Sequence, residues 1–200
     1  MWLGKRLFDI LFSLIGLVLL SPMFILLSLF IKIESPGPIF YRQVRVGRNE
    51  KLFRIHKFRS MFIDADKKGL AITVGKDPRI TRVGEYIRKF KCDEFAQLID
   101  VLLGDMSLVG PRPEVPQYVE HYPKEMRNVI FTVRPGITDL ASIIYRNEND
   151  LLAKSQNPEL TYINEILPEK LSLSLEYVKN ASLINDLKII FKTVFMILKG

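Results

Sequence analysis

The sequence predicts an α+β protein, mostly helical, in which a membrane helix precedes a compact domain built from a small β-hairpin and amphipathic helices. Three observations lead there. Residues 7–33, LFDILFSLIGLVLLSPMFILLSLFIKI, form an apolar run longer than the roughly 18 residues that mark a membrane-embedded segment. Residues 39–61, IFYRQVRVGRNEKLFRIHKFRSM, alternate apolar and basic side chains about Gly47, Arg48 and Asn49, as a hairpin does. Beyond them, apolar residues recur at helical spacing in several short segments and in the tail. At 200 residues the chain reads as one domain with an appendage: residues 1–34 form the membrane element and residues 35–200 the domain.

The N-terminal run is too long for a cleaved signal and lacks a small-residue cleavage site, so it is retained. Ser21 and Pro22 lie near its middle. Proline has no amide hydrogen and its ring crowds the preceding turn, so a kink is expected, with the Ser21 hydroxyl a candidate partner for the freed carbonyl. Lys5 and Arg6 precede the run, and Lys32, Arg42, Arg45, Arg48 and Lys51 follow it. Because basic residues favour the cytoplasmic side, a chain basic at both flanks suits a re-entrant hairpin that enters and leaves on that face. A straight span, at about 1.5 Å per residue, is also long enough for a bilayer.

"ESPGP" at 34–38 breaks the membrane element. In the hairpin, Val44, Val46, Leu52, Phe53, Ile55 and Phe58 are the expected core positions. Arg42, Arg45, Arg54, Lys57 and Arg59 are expected to face water, lipid headgroups or a bound anion. Residues 64–79, with Gly69, Gly75 and Pro78, read as a surface loop, and "RVGEYIRKF" as a short helix. A further helix is predicted over 94–103, with Phe95, Leu98, Ile99 and Leu102 on one face, Asp93 at the N-cap and Gly104 at the stop. Glu94 would then complement the helix dipole. The tail, SLINDLKIIFKTVFMILKG, sets Leu183, Leu187, Ile190, Val194 and Ile197 at helical spacing, which suits an interfacial helix and a packed one equally.

Twenty-nine basic against 22 acidic residues give a formal charge of +7, which calls for an anionic partner: nucleic acid, anionic lipid or a phosphorylated substrate. No nucleic-acid recognition motif is present. The single cysteine, Cys92, excludes an intrachain disulfide and a Cys-rich metal site; beside the acidic pair it reads as a small packing residue. His56 and His121 are too few and too scattered for zinc, so a metal would be held by oxygen ligands, as magnesium or manganese are.

"KFRSM" at 57–61, Asp93-Glu94, "GDMSLVGPRP" at 104–113 and "RPGIT" at 134–138 occur in the order and approximate spacing of a known group. The chain resembles the bacterial sugar transferases, the monotopic phosphoglycosyl transferases, over nearly its whole length. The resemblance implies a re-entrant membrane helix broken at Ser21-Pro22, a catalytic domain over 35–200 with membrane-interface helices, and residence at the cytoplasmic face of the bacterial inner membrane among its phospholipids. It implies transfer of a sugar 1-phosphate from a nucleotide diphosphate sugar, usually a UDP-sugar, to polyprenol (undecaprenyl) phosphate, with release of nucleoside monophosphate. That is the first membrane step in polysaccharide or glycoprotein assembly.

By the same resemblance Asp93 is a nucleophile that forms an acyl-phosphate sugar intermediate, Glu94 assists it, and Mg2+ is the cofactor, held at Asp93. Arg112 would bind phosphate, Arg59 would line the pocket, and Arg134 and Arg146 are further candidates for the substrate's phosphates. A carboxylate about 4 Å from a phosphate charge meets repulsion of roughly 1 kcal/mol in water and about 4 kcal/mol at an effective dielectric of 20, which a metal ion and an arginine fork would offset. Direct transfer in a ternary complex, with the dyad only binding metal, is the rival chemistry. A membrane-anchored scaffold that binds anionic lipid or a partner is the rival function; it leaves the dyad and Pro111-Arg112-Pro113 without a role. The chain departs from the family pattern at Phe95-Ala96 after the dyad, at Asp139 after "RPGIT", and at Ser174, where an aspartate is often found.

Overall fold

The computed structural model describes residues 3–65, 72–74 and 77–199. Gly69 and Gly75 of the expected loop, and the side chain of Ile197, lie outside that description. The helix α1 (Leu3–Glu34) runs 32 residues as one element, with Pro22 inside it. Pro22 cannot donate to the carbonyl four residues back, Val18 O, and the Ser21 hydroxyl donates to that oxygen instead at 2.7 Å. The helix is long and apolar enough to cross a membrane by length and composition, and Leu7, Leu11, Val18, Leu19, Ile25 and Ile33 are exposed along it.

Both ends of α1 are fixed to the same domain. Near its start, Lys5 Nζ donates to Asp186 at 2.5 Å and to Val109 O at 3.1 Å. Asp9, fully buried, accepts from Ser107 Oγ and Leu108 N, each at 3.1 Å. At the other end Ile31 packs with Phe58, Ile87 and Ala96. There the Glu34 carboxylate accepts from Arg82 N at 2.7 Å and Val83 N at 3.0 Å, satisfying orphan amides at the start of α2 (Arg82–Lys89).

The hairpin pairs β1 (Phe40–Val46) antiparallel with β2 (Leu52–Phe58). The turn between them takes Asn49 and Glu50 to φ of 54° and 59°, the region that asparagine tolerates best among the non-glycine residues. Val46, Ile55 and Phe58 are buried as expected, but Leu52 is 63 % exposed; it opens β2 beside the turn. Arg59 corrects the expectation of a water-facing position, being buried with its guanidinium at the end of α1.

A 3₁₀ turn over Cys92–Gln97 leads into α3 (Leu98–Leu103), which Gly104 ends at φ 94°. The buried positions of this segment are Asp93, Ala96, Gln97, Leu98, Asp100 and Val101, not the stripe through Phe95, Ile99 and Leu102. Two causes shift it: a 3₁₀ turn rotates side chains by 120° rather than 100° per residue, and the buried Asp100 is spent on His56, as described below.

The strands β3 (Ser107–Val109) and β4 (Gly136–Thr138) pair in parallel, joining "GDMSLVGPRP" to "RPGIT". The joint needs glycine on both sides: a Cβ on Gly136 would lie 2.1 Å from Gly110 N, and one on Gly110 would lie 2.5 Å from Arg134 O. Short helices α4 (Pro116–Val119), α5 (Lys124–Ile130), α6 (Leu140–Ile144), α7 (Glu148–Ala153) and α8 (Pro158–Thr161) lead to α9 (Leu167–Lys179). The largest core packs Tyr118, Ile130, Leu152, Tyr162, Ile166 and Leu171 together. The last helix, α10 (Leu183–Lys199), buries Asp186 and Ile189 and exposes Ile184, Leu187, Phe191, Val194 and Phe195. It therefore joins a packed seam to an apolar outer stripe, and the expected Leu187 and Val194 belong to the outer one.

Candidate active site

A cavity of about 1410 Å³ is bounded by the hairpin, the 3₁₀ turn, the loop after β3 and the helices α6, α9 and α10; Asp93, Glu94, Lys57, Arg88, Arg112 and Arg146 line it. Its acidic pair is set by an unusual backbone. Lys91 adopts φ 55°, ψ 22°, a left-handed conformation that costs an L-residue of this kind about 1 kcal/mol or more and occurs preferentially at functional sites. Lys91 occupies the N-cap position, so Asp93 falls inside the 3₁₀ turn and caps nothing. Among the described residues its buried carboxylate accepts no hydrogen bond, and its salt-bridge partner is Lys57 Nζ at 3.8 Å.

Glu94 is held differently. Arg112 Nη2 donates to its Oε1 at 2.5 Å and Nη1 to its Oε2 at 3.4 Å, while Lys57 Nζ stands 3.4 Å from Oε1. The consequence is a split pair. Burial pushes the Asp93 carboxyl above the ordinary aspartate range, and the Glu94 charge adds to that push against the opposing field of Lys57. Burial acts on Glu94 in the same direction, but the Arg112 and Lys57 cations outweigh it and hold that carboxyl well below the usual range. The Glu94 charge raises the Arg112 guanidinium, and burial lowers the Lys57 ammonium despite both acids. Lys57 thus lies beside the dyad; its position in "KFRSM" was the available signal, and strand alternation alone left it facing water, headgroups or a bound anion.

The loop that presents Arg112 is itself braced. Arg45 Nη1 donates to Pro113 O at 2.9 Å and Glu114 at 3.3 Å, and the Tyr162 hydroxyl donates to Glu114. Asp139, the departure after "RPGIT", caps α6 by accepting from Ser142 N at 2.7 Å and also accepts from Arg112 N at 3.2 Å. The other departure, Ser174, bonds its own helix through Lys170 O at 2.9 Å.

The remaining arginines separate. Arg146 lines the cavity, with Nη1 donating to Met196 O of α10 at 2.6 Å. Arg59 also lines it, but its guanidinium donates to Ser35 O at 2.7 Å, Ser35 Oγ and Pro36 O at 2.8 Å each, and Ile31 O at 3.3 Å. The exit of α1 thus engages both Nη atoms of Arg59. Arg134 is not among the residues lining the cavity; its Nε donates to Gly104 O at 2.5 Å, beside Arg6, which donates to Val101 O and Leu102 O. These two cations serve the carbonyl end of α3. Cys92 packs against the cluster around Phe58.

Among the described residues no cluster of three or more His, Cys, Asp or Glu side chains forms a metal cage. The donor set fits a metal of another kind: magnesium is commonly held by one or two carboxylates together with substrate phosphates, and Asp93 is the carboxylate here that accepts no hydrogen bond among the described residues and has its cation, Lys57, at 3.8 Å, while Glu94 is taken by Arg112.

The whole chain, residues 1–200, matches the bacterial sugar transferase family. It is 39 % identical over 198 residues to the UDP-N-acetylgalactosamine-undecaprenyl-phosphate N-acetylgalactosaminephosphotransferase of Aeromonas hydrophila, covering 98 % of this chain and 44 % of that protein. To the exopolysaccharide production protein PSS of Rhizobium leguminosarum bv. phaseoli it is 38 % identical over 206 residues, covering 95 % and 92 %. To the UDP-glucose:undecaprenyl-phosphate glucose-1-phosphate transferase of Escherichia coli K12 it is 37 % identical over 194 residues, covering 96 % and 39 %. The chain spans less than half the length of the Aeromonas and Escherichia relatives and nearly all of the Rhizobium one.

Proposed function

Because this chain belongs to the bacterial sugar transferase family, we propose that it transfers a sugar 1-phosphate from a UDP-sugar to polyprenol phosphate and releases UMP, through a covalent intermediate on Asp93. The observation that carries the covalent step is the Asp93 carboxylate, buried in the cavity, accepting no hydrogen bond among the described residues and 3.8 Å from Lys57, next to a glutamate paired with Arg112. An acid that caps a helix would accept a backbone amide; among the described residues this one accepts none.

In the first half-reaction an Asp93 oxygen attacks the sugar-bearing phosphorus. The bond from that phosphorus to the bridging oxygen breaks, and UMP leaves with the electron pair. In the second, a phosphate oxygen of the polyprenol attacks the same phosphorus and the Asp93 carboxylate leaves, restored. Lys57 faces both carboxylates and opposes the charge that gathers where nucleophile and phosphate meet. Arg112, held by Glu94 and by Asp139 at its backbone, offers its remaining donors to phosphate oxygens. Magnesium bound at Asp93 and the diphosphate would supply charge neutralisation of the substrate. Two separated half-reactions also let a soluble donor and a lipid acceptor use one pocket in turn.

The same reading places the chain on one membrane face. Two features support a re-entrant α1: both its ends are fixed to one domain, through Lys5 and Asp9 at the start and Ile31 and Glu34 at the end, and Pro22 with Ser21 supplies a site for a bend. The outer apolar stripe of α10 suits an interfacial position beside it. Mixing the protein with short-chain prenyl phosphate and a panel of UDP-sugars should release UMP with one of them. Absence of UMP across the panel, from protein shown to be folded, would refute the transferase reading.

A further inference from the structure

We propose that Arg42 captures the phosphate head of the lipid acceptor on the α1-facing side of the hairpin, and that His56 and Asp100 are positioning residues that aim it. The proposal rests on the transferase reading for the identity of the lipid, and on geometry for the anion.

In the β1–β2 register Phe40 opposes Phe58, Tyr41 opposes Lys57 and Arg42 opposes His56. Opposed residues share a side and successive ones alternate, so Arg42 stands on the side of Phe40 and Phe58, opposite to Lys57 and the dyad. That side looks toward α1: the Phe58 ring meets Phe24 at 4.9 Å and Phe40 at 5.2 Å, and Phe58 packs with Ile31. Arg42 lines the large cavity together with Phe12, Gly16 and Leu20 of α1. It is therefore a cation that the membrane helix and the dyad share a cavity with, on the helix side of the hairpin, and the ion pairs among the described residues give it no carboxylate partner.

An exposed arginine normally samples many rotamers, yet this one is held. His56 Nε2 lies 2.5 Å from Arg42 Nη1, and Arg42 Nη2 donates to Arg54 O at 2.9 Å. A guanidinium can only donate, so Nε2 is the acceptor and the imidazole proton sits on Nδ1. Nδ1 faces Asp100 Oδ1 at 2.6 Å, and Asp100 Oδ2 accepts from His56 N at 2.8 Å. Asp100 is fully buried and fixes both the ring and its tautomer. Asp100, His56 and Arg42 thus form a chain from the protein interior to the cavity wall, whose last member keeps free donors in a planar fork suited to a phosphate monoester.

Steady-state kinetics with farnesyl phosphate in non-ionic detergent test the assignment. Arg42→Gln should raise KM for the prenyl phosphate about tenfold or more and leave kcat within about twofold. His56→Asn keeps an amide for Asp100 but cannot reach Arg42, and should raise KM alike. His56→Gln restores an acceptor near the Nε2 position and should stay close to wild type, and adding His56→Asn to Arg42→Gln should change nothing further. A loss confined to donor KM or to UMP release without acceptor would overturn the proposal by moving Arg42 to the donor. So would an effect seen only as weaker binding to vesicles of anionic phospholipid, which would assign Arg42 to bulk headgroups. Binding of farnesyl phosphate followed by 31P line broadening separates this inference from the transferase reading: retention by wild type and loss in Arg42→Gln supports the site even if no UDP-sugar reacts, and equal retention by both refutes it.

Discussion

Asp186 and Asp93 are both buried, both paired with a lysine, and placed in opposite circumstances. Asp186 accepts from Lys5 at 2.5 Å and from the Tyr177 hydroxyl at 2.8 Å, while Lys5 and Tyr177 both also reach Val109 O. Every polar atom of that cluster has a partner, and the cluster ties the start of α1 to β3 and α10. Asp93 has Lys57 at 3.8 Å and a second carboxylate as its neighbour. A satisfied buried acid stabilises the fold only against its own removal; an unsatisfied one stores free energy that a reaction can use. The same residue types thus form a rivet in one place and the proposed reagent in the other, and what separates them is the count and distance of partners.

Substitution should pull the two apart. Asp93→Asn is expected to lower turnover on the order of 10⁴-fold or more, measured as UMP release, while thermal unfolding in detergent shows a midpoint at or above that of wild type. The sign follows from the raised folded-state pKa of Asp93: its ionisation opposes folding above that pKa, and the asparagine removes the opposition. Lys5→Met should do the reverse. It leaves Asp186 buried without its cation, with the Tyr177 hydroxyl as its remaining side-chain partner, and is expected to destabilise by about 3 kcal/mol, read by chemical denaturation, with turnover per folded molecule retained. Combining it with Asp186→Leu should recover most of the loss.

Glu94→Gln sits between the two. It breaks the fork to Arg112, whose side chain is about a third exposed (35 %), so a loss of about 1.5 kcal/mol is expected. Because the folded-state pKa of Glu94 is depressed, its contribution is present above the unfolded value near 4.5 and fades as pH falls through the lower one; Glu94→Gln should lack that acid-side loss in a pH series of unfolding midpoints. The smallest effect is expected at Leu52, where exchange for serine should change stability by within about 0.5 kcal/mol, since the side chain already lies in solvent.

Local chemistry carried much of this into the sequence. The apolar run, the breaker at 34–38, the hairpin turn, the helix over Arg82–Lys89 and the stop at Gly104 each depend on neighbours a few residues away, and the structure has them. What required the third dimension was partnership. Arg59 and Arg134 carry the same charge and motif membership as Arg112, and only the packed chain commits them to helix-end carbonyls. Asp93 looked like a cap because the residue that takes the cap position, Lys91, does so through a left-handed backbone that no pattern announces. The spacing of α10 left open which face packs, and a buried Asp186 turns one face toward Lys5 while Leu187 and Val194 lie exposed. Lys57 was within reach, as part of a motif already singled out, but period-two reasoning gives every basic residue on the polar side the same choice of water, headgroup or anion.

The central claim is that Asp93 carries the sugar phosphate, and the intact mass of the protein after mixing with UDP-sugar alone tests it most directly. The expected result is a population heavier by one sugar phosphate, mapped by fragmentation to Asp93, formed with stoichiometric UMP and lost on addition of polyprenol phosphate. Turnover with both substrates present, without any adduct or UMP from the donor alone, would contradict it and return the dyad to direct transfer in a ternary complex.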